Sequence, residues 1–99
     1  MDTKTCIETC QACIRACQTC AAAMLNKESG SACPACCLTC SEVCAVCVNE
    51  MARGGKKSKE ICELCARICT WCAEECRKAG HPHCLACAEA CDRCAAACA

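Results

Sequence analysis

The sequence predicts an all-α protein: an up-down-up-down antiparallel four-helix bundle with a cysteine-lined core, in one domain over residues 1–99. Three observations lead there. Cysteines recur at alternating steps of four and three residues in four blocks, 6–20, 33–47, 62–76 and 84–98, and a period of about 3.5 is the seam of a helical bundle. Short segments with turn chemistry separate the blocks, which makes consecutive helices antiparallel neighbours. The polar positions between cysteines hold good helix formers, among them Glu8, Gln11, Arg15, Glu63, Arg67, Glu74 and Arg93.

The first helix carries Cys6, Cys10, Cys13, Cys17 and Cys20. Asp2 or Thr5 can cap it, with Glu8 completing a capping box on Thr5. The segment NKESGSA (26–32), with Gly30, ends it. The second helix carries Cys33, Cys37, Cys40, Cys44 and Cys47, with Cys36 as an extra, and Pro34 suits its first turn. ARGGKKS (52–58) holds Gly54 and Gly55 and offers Ser58 as a cap for the third helix, which carries Cys62, Cys65, Cys69, Cys72 and Cys76. AGHP (79–82) places Gly80 past one helix end and Pro82 just inside the next start. Cys84, Cys87, Cys91, Cys94 and Cys98 follow on the fourth. Helices of roughly 20 residues would be about 30 Å long. The chain also reads as two helical hairpins, 1–53 and 56–99, as if one hairpin had been duplicated.

Met24 and Met51 stand four residues after Cys20 and Cys47, so thioethers extend the thiol seam by one step. Antiparallel topology then sorts the ends of the bundle. Met24, Cys33, Cys76, His81, His83 and Cys84 gather at one end, and Cys6, Met51, Cys62 and Cys98 at the other. The first end is the expected mouth for an entering ion, because imidazole and thioether bind a soft cation without adding charge. Beside the seam, Ile61, Leu64, Ile68 and Trp71 form a second apolar stripe, flanked by Val43 and Val46. That stripe packs inside the bundle or forms a subunit interface, and the interface is the favoured reading.

Composition excludes several classes. Eleven basic and eleven acidic side chains cancel, so no charge footprint for nucleic acid or an anionic membrane is present. No apolar run reaches the roughly 20 residues that span a bilayer. The opening MDTKTCIE is not a basic region followed by an apolar stretch, so a cytoplasmic location is expected. Twenty-one cysteines are an odd number, which rules out complete internal pairing.

The thiols need a reason. One or two buried cysteines are ordinary small hydrophobes, but a whole seam of them forgoes the roughly 1.5–3 kcal/mol that each large aliphatic side chain would contribute. Disulfides along a helix fit poorly, since Cβ atoms at i,i+3 or i,i+4 lie about 5–6 Å apart and a disulfide wants about 3.5–4.5 Å. A two-coordinate metal with bonds near 2.3 Å joins sulfurs roughly 4.6 Å apart, which such pairs can meet by rotating about χ1. Each C-x-x-C or C-x-x-x-C pair is then a chelate along one helix, with neighbouring helices adding a third thiolate. Charge chooses the ion. A monovalent ion with bridging thiolates gives a neutral core at about one ion per cysteine, whereas zinc in four-thiolate sites leaves two negative charges at each. Soft thiolates also select Cu(I), so multiple Cu(I) ions are the expected cargo. A zinc, cadmium or iron–sulfur binder is the alternative. A thiol redox enzyme would single out one activated thiolate; this seam repeats equivalent ones, and no catalytic set appears, so no enzyme is expected.

The four seams, together with HPHC at 81–84, resemble the four-helix-bundle copper storage proteins over nearly the whole chain. The resemblance implies a bundle that stores many Cu(I) ions inside it and assembles as an oligomer, a tetramer. It is closer to the cytosolic branch of that family. The expected ligands are the twenty-one cysteines with Met24, Met51, His81 and His83. Candidate delivery partners are a copper chaperone or a small-molecule thiol donor.

Overall fold

The cysteine seams set the architecture, because each must be turned away from water and only the other seams are available to cover it. The computed structural model describes residues 2–99. It contains α1 (Thr3–Ala23), α2 (Ala35–Ala52), α3 (Ser58–Ala79) and α4 (Pro82–Cys98). Each helix packs on its two neighbours in the cyclic order α1, α2, α3, α4, and the diagonal pairs meet only through side chains at the axis, as Cys10 with Cys65 and Cys37 with Cys87. The bundle measures 40 × 18 × 17 Å. The α2 segment is long and apolar enough by composition to cross a membrane, but its buried face, Cys36 to Met51, is turned into the bundle.

The helix ends show where local chemistry overrides simple capping rules. Asp2 caps α1, accepting from the Lys4 N–H at 3.2 Å. The Thr5 hydroxyl donates to the same carboxylate at 2.6 Å, so Thr5 lies inside the helix and the expected box with Glu8 does not form. Pro34 directly precedes α2 and follows a cis peptide bond. Ser58 is the first residue of α3 rather than its cap, and its hydroxyl donates to the Gly55 carbonyl at 2.9 Å. The cap comes instead from the end of α2, where the Glu50 carboxylate accepts from the Lys57 N–H at 2.9 Å and from Arg53 at 2.8 Å. Gly55 makes this fold-back feasible, because a Cβ there would overlap the carboxylate. Gly80 ends α3 with φ 76°, the left-handed conformation a glycine adopts without steric cost. Pro82 then starts α4 as expected.

All twenty-one cysteines are buried as free thiols, none more than 4% exposed. Met24 and Met51 close the core, Ala73, Ala88 and Ala90 fill gaps, and Glu50 is the one buried charged residue among the described residues. The second apolar stripe divides. Ile61, Ile68 and Val43 pack partly buried against the core, whereas Leu64, Trp71 and Val46 are exposed, at 40%, 37% and 50%.

Candidate metal centre

Inward-pointing thiols on four helices meet near the bundle axis. In the middle, the Cys13 sulfur lies 3.7 Å from that of Cys40 and 3.6 Å from that of Cys91. Cys40 lies 3.7 Å from Cys69, and Cys44 lies 3.7 Å from Cys65 and 3.8 Å from Cys69. Cys10 approaches Cys94 at 3.5 Å, Cys17 approaches Cys87 at 3.6 Å, and Cys37 lies 3.7 Å from Cys76. These contacts all cross between helices. Contacts along one helix are fewer and longer, Cys65 to Cys69 at 3.9 Å and Cys72 to Cys76 at 4.0 Å. Same-helix pairs such as Cys6 and Cys10, Cys13 and Cys17, Cys40 and Cys44, and Cys87 and Cys91 also lie within 4.8 Å, near the roughly 4.6 Å span of a two-coordinate ion.

The sulfurs form overlapping sets of four with every pair within 4.8 Å: Cys6, Cys10, Cys47 and Cys98; Cys13, Cys40, Cys44 and Cys69; Cys13, Cys17, Cys40 and Cys91; and Cys17, Cys72, Cys87 and Cys91. Bonds near 2.3 Å need sulfurs roughly 4.0 Å apart in a trigonal site and roughly 3.8 Å apart in a tetrahedral one, so spacing admits both. Neighbouring sets share members, Cys13, Cys17, Cys40 and Cys91 among them, so the sulfurs run as a continuous ladder along the bundle. Among the described residues no cation is buried to offset the residual charge of zinc tetrathiolates, and the buried charge there, Glu50, is negative.

The two ends differ in chemistry. At the first, the Met24 sulfur lies 3.8 Å from Cys84, and Cys20 lies 3.8 Å from Cys33 and 3.7 Å from Cys84. The His83 Nδ1 atom sits 3.5 Å from both the Cys20 and Cys84 sulfurs. Burial, then Lys27 and His81, hold the His83 imidazole below the ordinary histidine range, so it is neutral near pH 7. The other ring nitrogen, Nε2, is buried without a hydrogen-bond partner among the described residues. His81 stacks on His83 with ring centres 5.4 Å apart; it supports the His83 ring rather than meeting a sulfur. At the second end, the Met51 sulfur lies 3.4 Å from Cys62 and 3.9 Å from Cys47. Cys6 and Cys98 are in contact there. Cys36 is buried one step off the seam, 4.0 Å from the Cys72 carbonyl oxygen.

Burial pushes the terminal thiols up, assisted by neighbouring thiols: Cys20 and Cys33 rise, Cys47 reaches about 11 and Cys62 about 12. Hydrogen bonds from neighbouring thiols act the other way on Cys13 and Cys98, which fall to about 6 and about 7.

Two carboxylates escape a reading based on thiols. Glu50 ties the end of α2 to the start of α3, and Glu75 accepts from the Ala32 N–H at 2.8 Å and from Lys78 at 2.9 Å, holding the loop that leads into Cys33. Their signal lies in the flanking register: Glu50 stands seven residues after Val43, and Glu75 seven after Ile68. A carboxylate at a core-flanking position beside a loop marks a tie to free backbone N–H groups.

The chain matches the profile of the copper storage proteins across residues 1–99. It is 42% identical over 59 residues to an uncharacterized cysteine-rich protein, YhjQ, of Bacillus subtilis (strain 168), covering 60% of this chain and 55% of that one. It thus spans just over half the length of that relative. Among solved structures, it resembles the Cu(I)-bound copper storage protein BsCsp3, at 40% identity and a TM-score of 0.90, over 97% of this chain and 93% of that one. It resembles the metal-free copper storage protein 3 of Bacillus subtilis at 42% identity and a TM-score of 0.91, over 98% and 95% of the two chains. The thiol-lined four-helix core and the full-length match together place this chain in the copper storage protein family.

Proposed function

We propose that this chain binds and stores Cu(I) in its core at about one ion per cysteine, without catalysing a reaction. One observation carries the reading: a continuous ladder of shared sulfur sets in a core with no buried cation among the described residues. Only a monovalent ion bridged by thiolates fills such a ladder without accumulating charge. The Cu(I)-bound relative of the same fold supports the choice of ion. The ligands are the twenty-one cysteines, with Met24 and His83 at one end and Met51 at the other; His81 acts through His83.

The His83 end is the mouth, where a neutral imidazole and a thioether receive the ion before the thiols. The exposed ridge of Val46, Leu64 and Trp71 is the contact between copies of the chain, and cytoplasmic storage suits a core of free thiols. A single-chain mass by light scattering would exclude the oligomer.

The deciding experiment is an anaerobic Cu(I) titration of the reduced protein, followed by native mass spectrometry and competition with a strong Cu(I) chelator. Saturation near one ion per cysteine with retention is expected. Saturation at a few ions, or preference for zinc, cadmium or an iron–sulfur cluster, would reject the storage reading.

A further inference from the structure

A groove of about 280 Å³ runs between α1 and α4. It exists because the facing positions are small: Ala12, Ala16 and Thr19 on one wall, Ala86 and Ala90 on the other. Its volume falls at the lower edge of ligand sites, roughly 300–1,000 Å³, which suits a small metabolite. Three features give it chemistry. Arg15 and Arg93 line it from opposite helices; both are exposed, and neither makes an ion pair among the described residues. The acidic residues of these helices, Glu8, Glu89 and Asp92, are not among its walls, and Asp92 is engaged by Arg77. His83 and Cys87 also line it, and the buried Nε2 of His83 lacks a partner. The comparable groove between α3 and α4, lined by Ala66, Arg67, Thr70, Ala95 and Ala99, has one arginine and neither sulfur nor imidazole.

We propose that the α1–α4 groove docks a small anionic thiol that carries Cu(I), its carboxylates held by Arg15 and Arg93 and its metal-bearing sulfur placed at His83 and Cys87. The inference rests on the storage reading and adds the class of donor and its seat. From His83 to Arg93 is about 15 Å along α4 at 1.5 Å per residue, the reach of an extended short peptide. At the His83 end the groove meets the mouth, since the same ring sets Nδ1 against Cys20 and Cys84. Cys87 in turn touches Cys17 at 3.6 Å and Cys37 at 3.8 Å, so an ion received there is already on the ladder.

The transfer is a ligand exchange. The bond from Cu(I) to the carrier sulfur breaks as a bond to the Cys87 sulfur forms. The Cys87 proton leaves on the carrier, which departs as a neutral thiol, and no oxidation state changes. Arg15 and Arg93 bind no metal in this scheme; they position the carrier.

The test compares two donors under anaerobic stopped-flow conditions: Cu(I)–glutathione, which is anionic, and the Cu(I)–acetonitrile complex, which has no carboxylate. In the R15A/R93A double variant, loading from Cu(I)–glutathione at subsaturating donor is expected to slow about tenfold and to lose most of its dependence on ionic strength. Loading from the acetonitrile complex and final capacity should match the parent, and R15K/R93K should recover most of the glutathione rate. An unchanged glutathione rate in the double variant overturns the proposal. So does equal slowing with both donors, or a changed oligomeric mass, which would make the groove a contact between copies. If the parent protein retains Cu(I) from neither donor, the storage reading fails and the groove proposal falls with it.

Discussion

Loading the core with Cu(I) should expel close to one proton per ion. In the empty protein, two adjacent thiolates at the 3.7 Å separation of Cys13 and Cys40 would repel by roughly 4–5 kcal/mol at an effective dielectric of 20. Adjacent sulfurs along the axis therefore cannot both be thiolates without a cation between them, and most of the axis is held as thiols. Burial reinforces this at the ends, where Cys47 and Cys62 rise from 9.0 to about 11 and about 12. A thiol must ionise to bind the metal, so each bridged thiolate releases its proton to solvent when Cu(I) is supplied as the acetonitrile complex, which takes up none. Saturation at one ion per cysteine would liberate about twenty protons, whereas zinc in closed four-thiolate sites would release about four per ion. The sign for pH follows: affinity per ion rises about tenfold for each pH unit below the thiol pKa values and falls on acidification. Between pH 6 and pH 8 the change is about a hundredfold, or roughly 2.7 kcal/mol per ion. An anaerobic titration in weakly buffered solution with a pH indicator counts the protons, and chelator competition at the two pH values measures the slope. Release well below one proton per ion, or affinity independent of pH, would refute the picture of a protonated core.

Two substitutions probe the ends. H83A combined with M24L should slow the initial loading rate several-fold while leaving capacity within one or two ions of the parent, and H81A alone should have a smaller effect because His81 reaches only the His83 ring. Stopped-flow loading followed by native mass spectrometry separates rate from capacity, and an unchanged rate in the double variant would remove the mouth from this end. G55A should destabilise the metal-free protein, since the added methyl overlaps the Glu50 carboxylate and displaces it from the Lys57 N–H. The carboxylate can swing aside, so the cost is that of the lost hydrogen bond, about 0.5–1.5 kcal/mol, and each kcal/mol lowers the Tm of a domain this size by about 4–8 °C. A calorimetric Tm equal to the parent's would contradict the fold-back of Glu50.

The cysteine spacing made the helices and their inward faces legible, because a 3.5-residue period specifies which side of each helix must be hidden. Antiparallel order then made both end clusters legible, and Met24 with Cys84 and Met51 with Cys62 do meet. The caps were less legible. Thr5 and Ser58 satisfy the residue preference for capping, yet Asp2 stands one turn ahead of Thr5, and Glu50 reaches the start of α3 across a turn that Gly55 leaves open. Both outcomes depend on a competing acceptor elsewhere in the chain, which local preference does not register. The direction of the sulfur contacts was hidden for a similar reason. Spacing along one helix is visible in sequence, but the shorter distances arise from how closely four helices approach.

That approach is what a cysteine core achieves and a leucine core would not. Thiols are small, so the helices can close until sulfurs on different helices stand 3.5–3.9 Å apart. The same closeness forgoes apolar area, leaving a metal-free bundle with less hydrophobic stabilisation than aliphatic seams would supply. In exchange, the separations already match those of metal-bridged thiolates, roughly 3.8–4.0 Å for bonds near 2.3 Å. Ions can then enter with small rotations about χ1 and little movement of the backbone. Weak packing in the empty state and readiness to take metal are thus one property of the seam. Replacing a central pair such as Cys13 and Cys40 with leucine would fill the core but force α1 and α2 apart, removing ladder positions beyond the two substituted.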